Sequence, residues 1–132
     1  NLTVVISYKG FILGGAGGIM KNKVDGTLPT IKCTAPLVNE RCPGYSQAAK
    51  DPKGLGGDVW VDKYDYKGLT KMLSEIKEQY GHERQSILSA DLQIPYQVVV
   101  RTMDTIRGKA TAKCTGKDGC LFDRVVLSAG VQ

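Results

Sequence analysis

The chain has 132 residues, 42% of them hydrophobic and 23% charged, which fits one globular core and excludes both a disordered tail and two full-sized domains. Eighteen Lys and Arg against thirteen Asp and Glu leave +5, well short of the dense basic stripe of a dedicated nucleic-acid binder. No window of 18 apolar residues occurs, so nothing here reads as a membrane-spanning helix, and the run GFILGGAGGIM at 10–20 is too short and too glycine-rich for a signal peptide.

The chain opens at Asn1 without an initiator Met and runs straight into LTVVIS, which reads as a fragment of something longer. Residues 2–7 are β-branched and apolar enough for a strand. Residues 11–13 follow after Tyr8, Lys9 and Gly10, so a first hairpin is expected. From 14 to 57 the signals are turns: glycine clusters, Asp25-Gly26, Pro29, Pro36, Pro43-Gly44 and Asp51-Pro52. A stretch of that length is either an insertion with short strands of its own or a mobile excursion. Val59, Trp60 and Val61 end it as a short strand.

Residues 65–80 read as a helix with Tyr66, Leu69, Leu73, Ile76 and Tyr80 on its apolar face and Lys71, Glu75, Lys77 and Glu78 elsewhere on the surface. Gly81 suits its C′ position. Residues 86–90 form a short apolar strand, and Pro95 opens a second helix to Arg107, with Tyr96, Val99, Val100, Met103 and Ile106 expected on its buried face. A polar cysteine loop follows Gly108, and residues 121–128 close the chain as a strand. The expected fold is α+β: one domain over residues 1–132, a small mixed sheet with two helices on one face and a long cysteine-bearing insertion at 14–57.

The asymmetry of charge supports that division. Residues 1–57 hold seven basic and three acidic side chains, and residues 58–132 hold eleven and ten, so most of the excess lies in the first part. The four cysteines fall as Cys33 with Cys42 and Cys114 with Cys120, neither spaced as C-x-x-C, each in a turn-rich loop. Three pairings are open to them. The local one is favoured here, and it implies an oxidising compartment; a four-cysteine zinc site is the weaker alternative.

Enzyme signatures fail on spacing. The glycines at 14–18 lack the lysine and hydroxyl of a phosphate loop, and Met20 stands where a dinucleotide fingerprint needs its last glycine. His82 is the only histidine, with no second one four residues on, and no nucleophile elbow frames a serine. No catalytic residue, cofactor or metal ligand is therefore assigned.

Taken together, Ile87-Leu-Ser-Ala-Asp91, then Ile94-Pro-Tyr-Gln-Val-Val-Val-Arg-Thr-Met-Asp104, then Leu121-Phe-Asp-Arg-Val-Val-Leu-Ser-Ala-Gly130 resemble the periplasmic domain of the ExbD/TolR family. The opening hairpin and the helix at 69–76 extend the likeness to about two thirds of the chain. The resemblance implies an inner-membrane stator subunit with a transmembrane helix upstream of this chain, an ExbB/TolQ-like channel partner and a TonB/TolA-like or other envelope partner. Ion flow would then drive nutrient uptake, envelope maintenance or motility. It also implies that the proton-carrying aspartate lies in that helix, so none of the acidic residues here inherits the role. The insertion at 14–57 and the loop at 113–119 depart from the family pattern and carry the cysteines, Cys33 and Cys42 in the first and Cys114 in the second, with Cys120 directly after it.

For Asp91 and Pro95 the structural reading is an Asx turn and a fixed helix start; the functional one makes Asp91, Tyr96 and Gln97 the edge of a groove for a partner peptide. Trp60 either packs the insertion down or serves as an exposed contact. Lys21, Lys23, Lys32 and Arg41 are either a solvated basic loop or a contact for anionic peptidoglycan. The expected function is a non-enzymatic, homodimeric, force-transmitting periplasmic domain that joins copies through a sheet edge. The alternative is a disulfide- or zinc-stabilised envelope enzyme or binding module, and a two-lobed solute receptor would need a longer chain.

Overall fold

A computed structural model describes residues 2–48, 58–108 and 121–128, and shows the α+β architecture expected. The first strand, β1 (Leu2–Ser7), alternates buried and half-buried positions, the period-2 signature of a strand covered more fully on one face. It turns at Tyr8 and Lys9 into β2 (Gly10–Gly15), antiparallel, with Ile6 opposite Phe11 and Val4 opposite Leu13. This strand is longer than its apolar core suggested: Gly14 and Gly15 belong to it, and the turn falls at Ala16 and Gly17 before β3 (Gly18–Ile19).

The insertion does build short strands of its own. Beyond β3, it contributes β4 (Ile31–Lys32) against β2, and β5 (Gly44–Ala48), which pairs with β6 (Asp58–Asp62) in a separate two-stranded sheet. Trp60 stands opposite Ser46 in that ribbon, and its side chain lies outside the described part. Cys114 and Cys120, and with them the second half of the expected pairing, also lie outside the described residues.

After β6 the chain enters α1 (Tyr66–Gln79), capped by Asp65, whose carboxylate accepts from the Gly68 N–H at 2.9 Å. It returns through β7 (Gln85–Ala90), α2 (Tyr96–Arg107) and β8 (Arg124–Leu127). The main sheet runs β3-β2-β1-β7-β8, with β7 parallel to β1 and β8 parallel to β7. Two parallel crossovers stepping in the same direction place both helices on one face when each takes the usual right hand. That face carries the core: Leu2, Val4, Ile6, Phe11, Leu13 and Leu88 from the sheet, Leu69 and Leu73 from α1, Val98 and Ile106 from α2, and Phe122.

Both helix faces need correction. In α1 the buried set is Leu69, Leu73 and Lys77, while Tyr80 is exposed. Lys77 lays its stem in the core, sends its ammonium to the Glu83 carbonyl and sits 5.0 Å from the centre of the Phe122 ring. Burial pushes its pKa down, against the pull of Asp123. In α2 the buried stripe is Val98, Thr102 and Ile106, spaced by four, with Val99 and Met103 beside it and Tyr96 pointing to solvent. Thr102 satisfies its buried hydroxyl by donating to the Val98 carbonyl at 2.7 Å.

The end of β6 is fastened by one carboxylate. Asp62 has a side chain 1% exposed, accepts from the Tyr64 N–H and the Tyr66 hydroxyl, both at 3.0 Å, and pairs with Arg101 of α2 at 3.1 Å. Arg101 also covers the Tyr66 ring at 4.3 Å. Burial, then the Asp62 charge, push both tyrosine hydroxyls above their ordinary pKa, so they stay protonated and donate; that of Tyr64 reaches the Ser7 carbonyl at 2.6 Å.

Where the middle of the insertion packs against β2 the decisive residue is Gly10. Its φ is +148°, and a Cβ there would stand 2.2 Å from the Ile31 carbonyl oxygen and 2.9 Å from the Pro29 ring. Gly10→Ala is expected to lower the urea-unfolding free energy by about 3 kcal/mol, whereas Gly17→Ala, with open space around its Cβ, should change it by no more than about 0.5 kcal/mol. Equal effects would show that the close approach at Gly10 is not a constraint.

Candidate functional site

Three segments meet beyond the C-terminal ends of β1 and β7. The first is the β1–β2 turn at Tyr8 and Lys9. The second is an arm, residues 33–42, whose ends are joined by the Cys33–Cys42 disulfide across a Cα separation of 5.9 Å. The Cys42 N–H donates to the Tyr8 carbonyl at 2.6 Å, which seats the arm on that turn. Within the arm, Val38 and Arg41 exchange two backbone hydrogen bonds of 2.9 and 3.0 Å around Asn39 and Glu40, whose φ values of 51° and 62° give the left-handed pair of a type I′ turn. Arg41 is thereby laid over the Tyr8 ring at 4.3 Å.

The third segment is the β7–α2 turn. The Asp91 N–H donates to the Ile6 carbonyl at 3.0 Å, and its own carbonyl accepts from Ile94 at 3.3 Å. The turn is thus an ordinary backbone turn and not the expected Asx turn: the Asp91 carbonyl closes it, and among the described residues its carboxylate caps nothing. Gln93 takes a φ of 75° and accepts from Arg41 at 3.5 Å, while the Tyr8 hydroxyl donates to the Leu92 carbonyl. The described non-glycine residues with positive φ are Asn39, Glu40 and Gln93, and all three belong to this junction.

Between these segments lies an open cleft of about 580 Å³, lined by Ser7, Tyr8, Lys9, Ile12, Leu28, Pro29, Asn39, Glu40, Arg41 and Asp91. Its volume is in the range of ligand pockets. Ile12, Leu28 and Pro29 are apolar; Lys9, Arg41, Glu40 and Asp91 carry two charges of each sign. Among the described residues none of these four is paired with another charge.

Of the residues singled out from the sequence, Asp91 and Arg41 come together here. Pro95 is the N-cap of α2, Tyr96 is 76% exposed, and neither they nor Gln97 line the cleft. The other basic candidates do not gather into a patch. Lys23 pairs with Glu75 of α1 and Lys32 with Asp25, and each lysine holds its partner's carboxyl below the usual range. Lys21 is exposed beside them in sequence. No group of His, Cys, Asp and Glu suited to a metal occurs among the described residues.

Sequence reasoning missed Tyr8, Lys9 and the Asn39–Glu40 turn. The turn-like Tyr8-Lys9-Gly10 link was visible, but its contact with a segment more than thirty residues away was not. If the disulfide seats the arm, the Cys33→Ser, Cys42→Ser double variant should lose roughly 2 to 3 kcal/mol of unfolding free energy while keeping its far-ultraviolet circular dichroism. Unchanged stability would mean that the arm is held by its other contacts alone.

No family model, curated protein or solved structure matches this chain.

Proposed function

We propose that this chain is the periplasmic domain of a proton-motive-force-driven, inner-membrane stator subunit of the ExbD/TolR type. It couples ion flow in an ExbB/TolQ-like channel to work on an envelope partner, TonB/TolA-like or other, and has no catalytic role. The observation that carries the reading is the order of elements under the resembling residues. Ala90-Asp91 closes β7, Pro95-Tyr96 opens α2, and the Arg124–Leu127 segment closes the sheet as β8, all on the frame that begins with the β1–β2 hairpin.

The shape suits a module that transmits force. Its parallel β1, β7 and β8 strands resist shear through laddered hydrogen bonds, and the helices brace one face. Among the described strands β8 ends the main sheet, with Val126 and Leu127 about half exposed, and that edge suits a second copy or a partner strand. The mixed charges of the cleft, none of them paired with another charge among the described residues, suit recognition of a charged partner.

The test uses the product of the complete gene, tagged at its C-terminus and solubilised from its native membranes. Recovery with a multi-helix membrane channel subunit at a fixed ratio is the expected result. Recovery as a soluble protein, or from membranes with no channel subunit, would overturn the proposal.

A further inference from the structure

The cleft beside Arg41 has a composition that selects its ligand. A polyanion entering it would meet Glu40 and Asp91; a polycation would meet Lys9 and Arg41. Lys9, Glu40 and Arg41 are exposed and Asp91 is half-buried; each like-charge approach to them is unfavourable and each opposite one favourable, so the complementary ligand bears both signs. Arg41 is held for such a role. Its guanidinium is stacked on Tyr8 and steadied by Gln93, and the fork of a stacked Arg keeps donors free for a carboxylate.

The cleft also continues along the sheet. The register puts Ser7 level with Gly10 and Ile6 level with Ala90, so Ser7, Val5 and Thr3 lie on the face away from the core residues Ile6, Val4 and Leu2. A shallow trough of about 360 Å³ on that face is lined by Thr3, Val5, Ile12, Gly14, Gly15, Gly18 and Ile19, and it shares Ile12 with the cleft. Ile19 is 64% exposed there. A compact small molecule would fill the cleft and ignore the trough, whereas an extended chain spans both.

We propose that the cleft and the trough form one binding site for an extended peptide segment of a partner protein, with an acidic and a basic side chain flanking apolar residues. The acidic side chain goes to Arg41 and Lys9, the basic one to Asp91 and Glu40, and the apolar residues lie over Ile12, Leu28 and Pro29. The disulfide arm is what makes the site, because it supplies Glu40 and Arg41 and lays Arg41 over Tyr8. This deepens the partner-binding reading given above, yet the channel co-purification would stand unchanged if the cleft bound nothing.

The experiment is a titration of the ¹⁵N-labelled 132-residue chain, followed by amide chemical shifts, with three capped pentapeptides: KVPVE, EVPVE and KVPVK. A fourth arm uses soluble muropeptides. The expected result is saturable shifts at Tyr8, Arg41 and Asp91 with KVPVE at a Kd below about 1 mM, and at least about fivefold weaker binding of the two single-sign peptides. Arg41→Ala and Asp91→Asn should each weaken KVPVE about fivefold to tenfold. Arg41→Lys, which keeps the charge but loses the planar fork, should fall between Arg41→Ala and the parent. The unliganded spectra report whether each variant has kept its fold. Absence of saturable shifts, equal response to all three peptides, or indifference to Arg41→Ala in a folded variant would overturn the proposal. Muropeptides shifting these amides while KVPVE does not would overturn it in favour of a cell-wall ligand.

Discussion

A single buried carboxylate, that of Asp62, joins the two parts of this molecule. It stands where the insertion re-enters the frame, at the last residue of β6, and it binds α1 through Tyr66, α2 through Arg101 and the returning backbone through Tyr64. A carboxylate so withdrawn from water is costly to bury unless its oxygens are occupied, and here both are. Arg101 is half exposed, so the pair is not fully desolvated; its attraction is shared with the Tyr66 ring beneath it. The geometry fixes where α1 begins, because Asp62, Tyr64, Asp65 and Tyr66 follow within one turn. It also sets α2 against α1.

From that anchor the rest of the architecture follows in order. Tyr64 and Tyr66 lean on Phe11 with ring centroids 5.3 and 5.7 Å away, which ties β6 to the floor of the β2 strand. Tyr64 then donates to Ser7, at the mouth of the cleft. The insertion is thus tied at Pro29 and Ile31, which approach Gly10 too closely for any side chain, and just beyond it at Asp62 of β6. Between those points the disulfide arm is seated on the Tyr8 turn by the Cys42 N–H. The charges it brings to the cleft owe their positions to the Val38–Arg41 turn and to the seat that Tyr8 and Gln93 give Arg41.

Much of the frame was legible in the sequence because it rests on local periodicity. β1 alternates, α1 repeats every three and four residues, and Pro95 and Gly108 bracket α2. The phase of the helices was harder to read. Three consecutive valines at 98–100 offer an apolar side chain to every direction, so nothing local chose Val98 over Val100. Lysine was assigned to solvent by its charge, although Lys77 buries four methylenes and needs only one carbonyl for its head. Tyr80 and Tyr96 were assigned inward by their rings. The insertion was legible as turns and as a disulfide, since Cys33 and Cys42 are close in sequence. Its location was not, because it depends on Pro29 against Gly10, Cys42 on Tyr8 and Asp62 on Arg101, contacts between positions about twenty to forty residues apart. The candidate site was half visible for the same reason: Asp91 and Arg41 stood out singly, and only the fold brings them together.

The claim that Asp62 couples the insertion to the helical layer is tested most directly by a double-mutant cycle. Asp62→Asn and Arg101→Met, singly and together, would be measured by urea unfolding monitored through tyrosine and tryptophan fluorescence. The account predicts a coupling energy of about 1 to 2 kcal/mol, with Asp62→Asn the more damaging single change. Additive losses, with a coupling below about 0.3 kcal/mol, would contradict it and leave the insertion and α2 as independent parts of the structure.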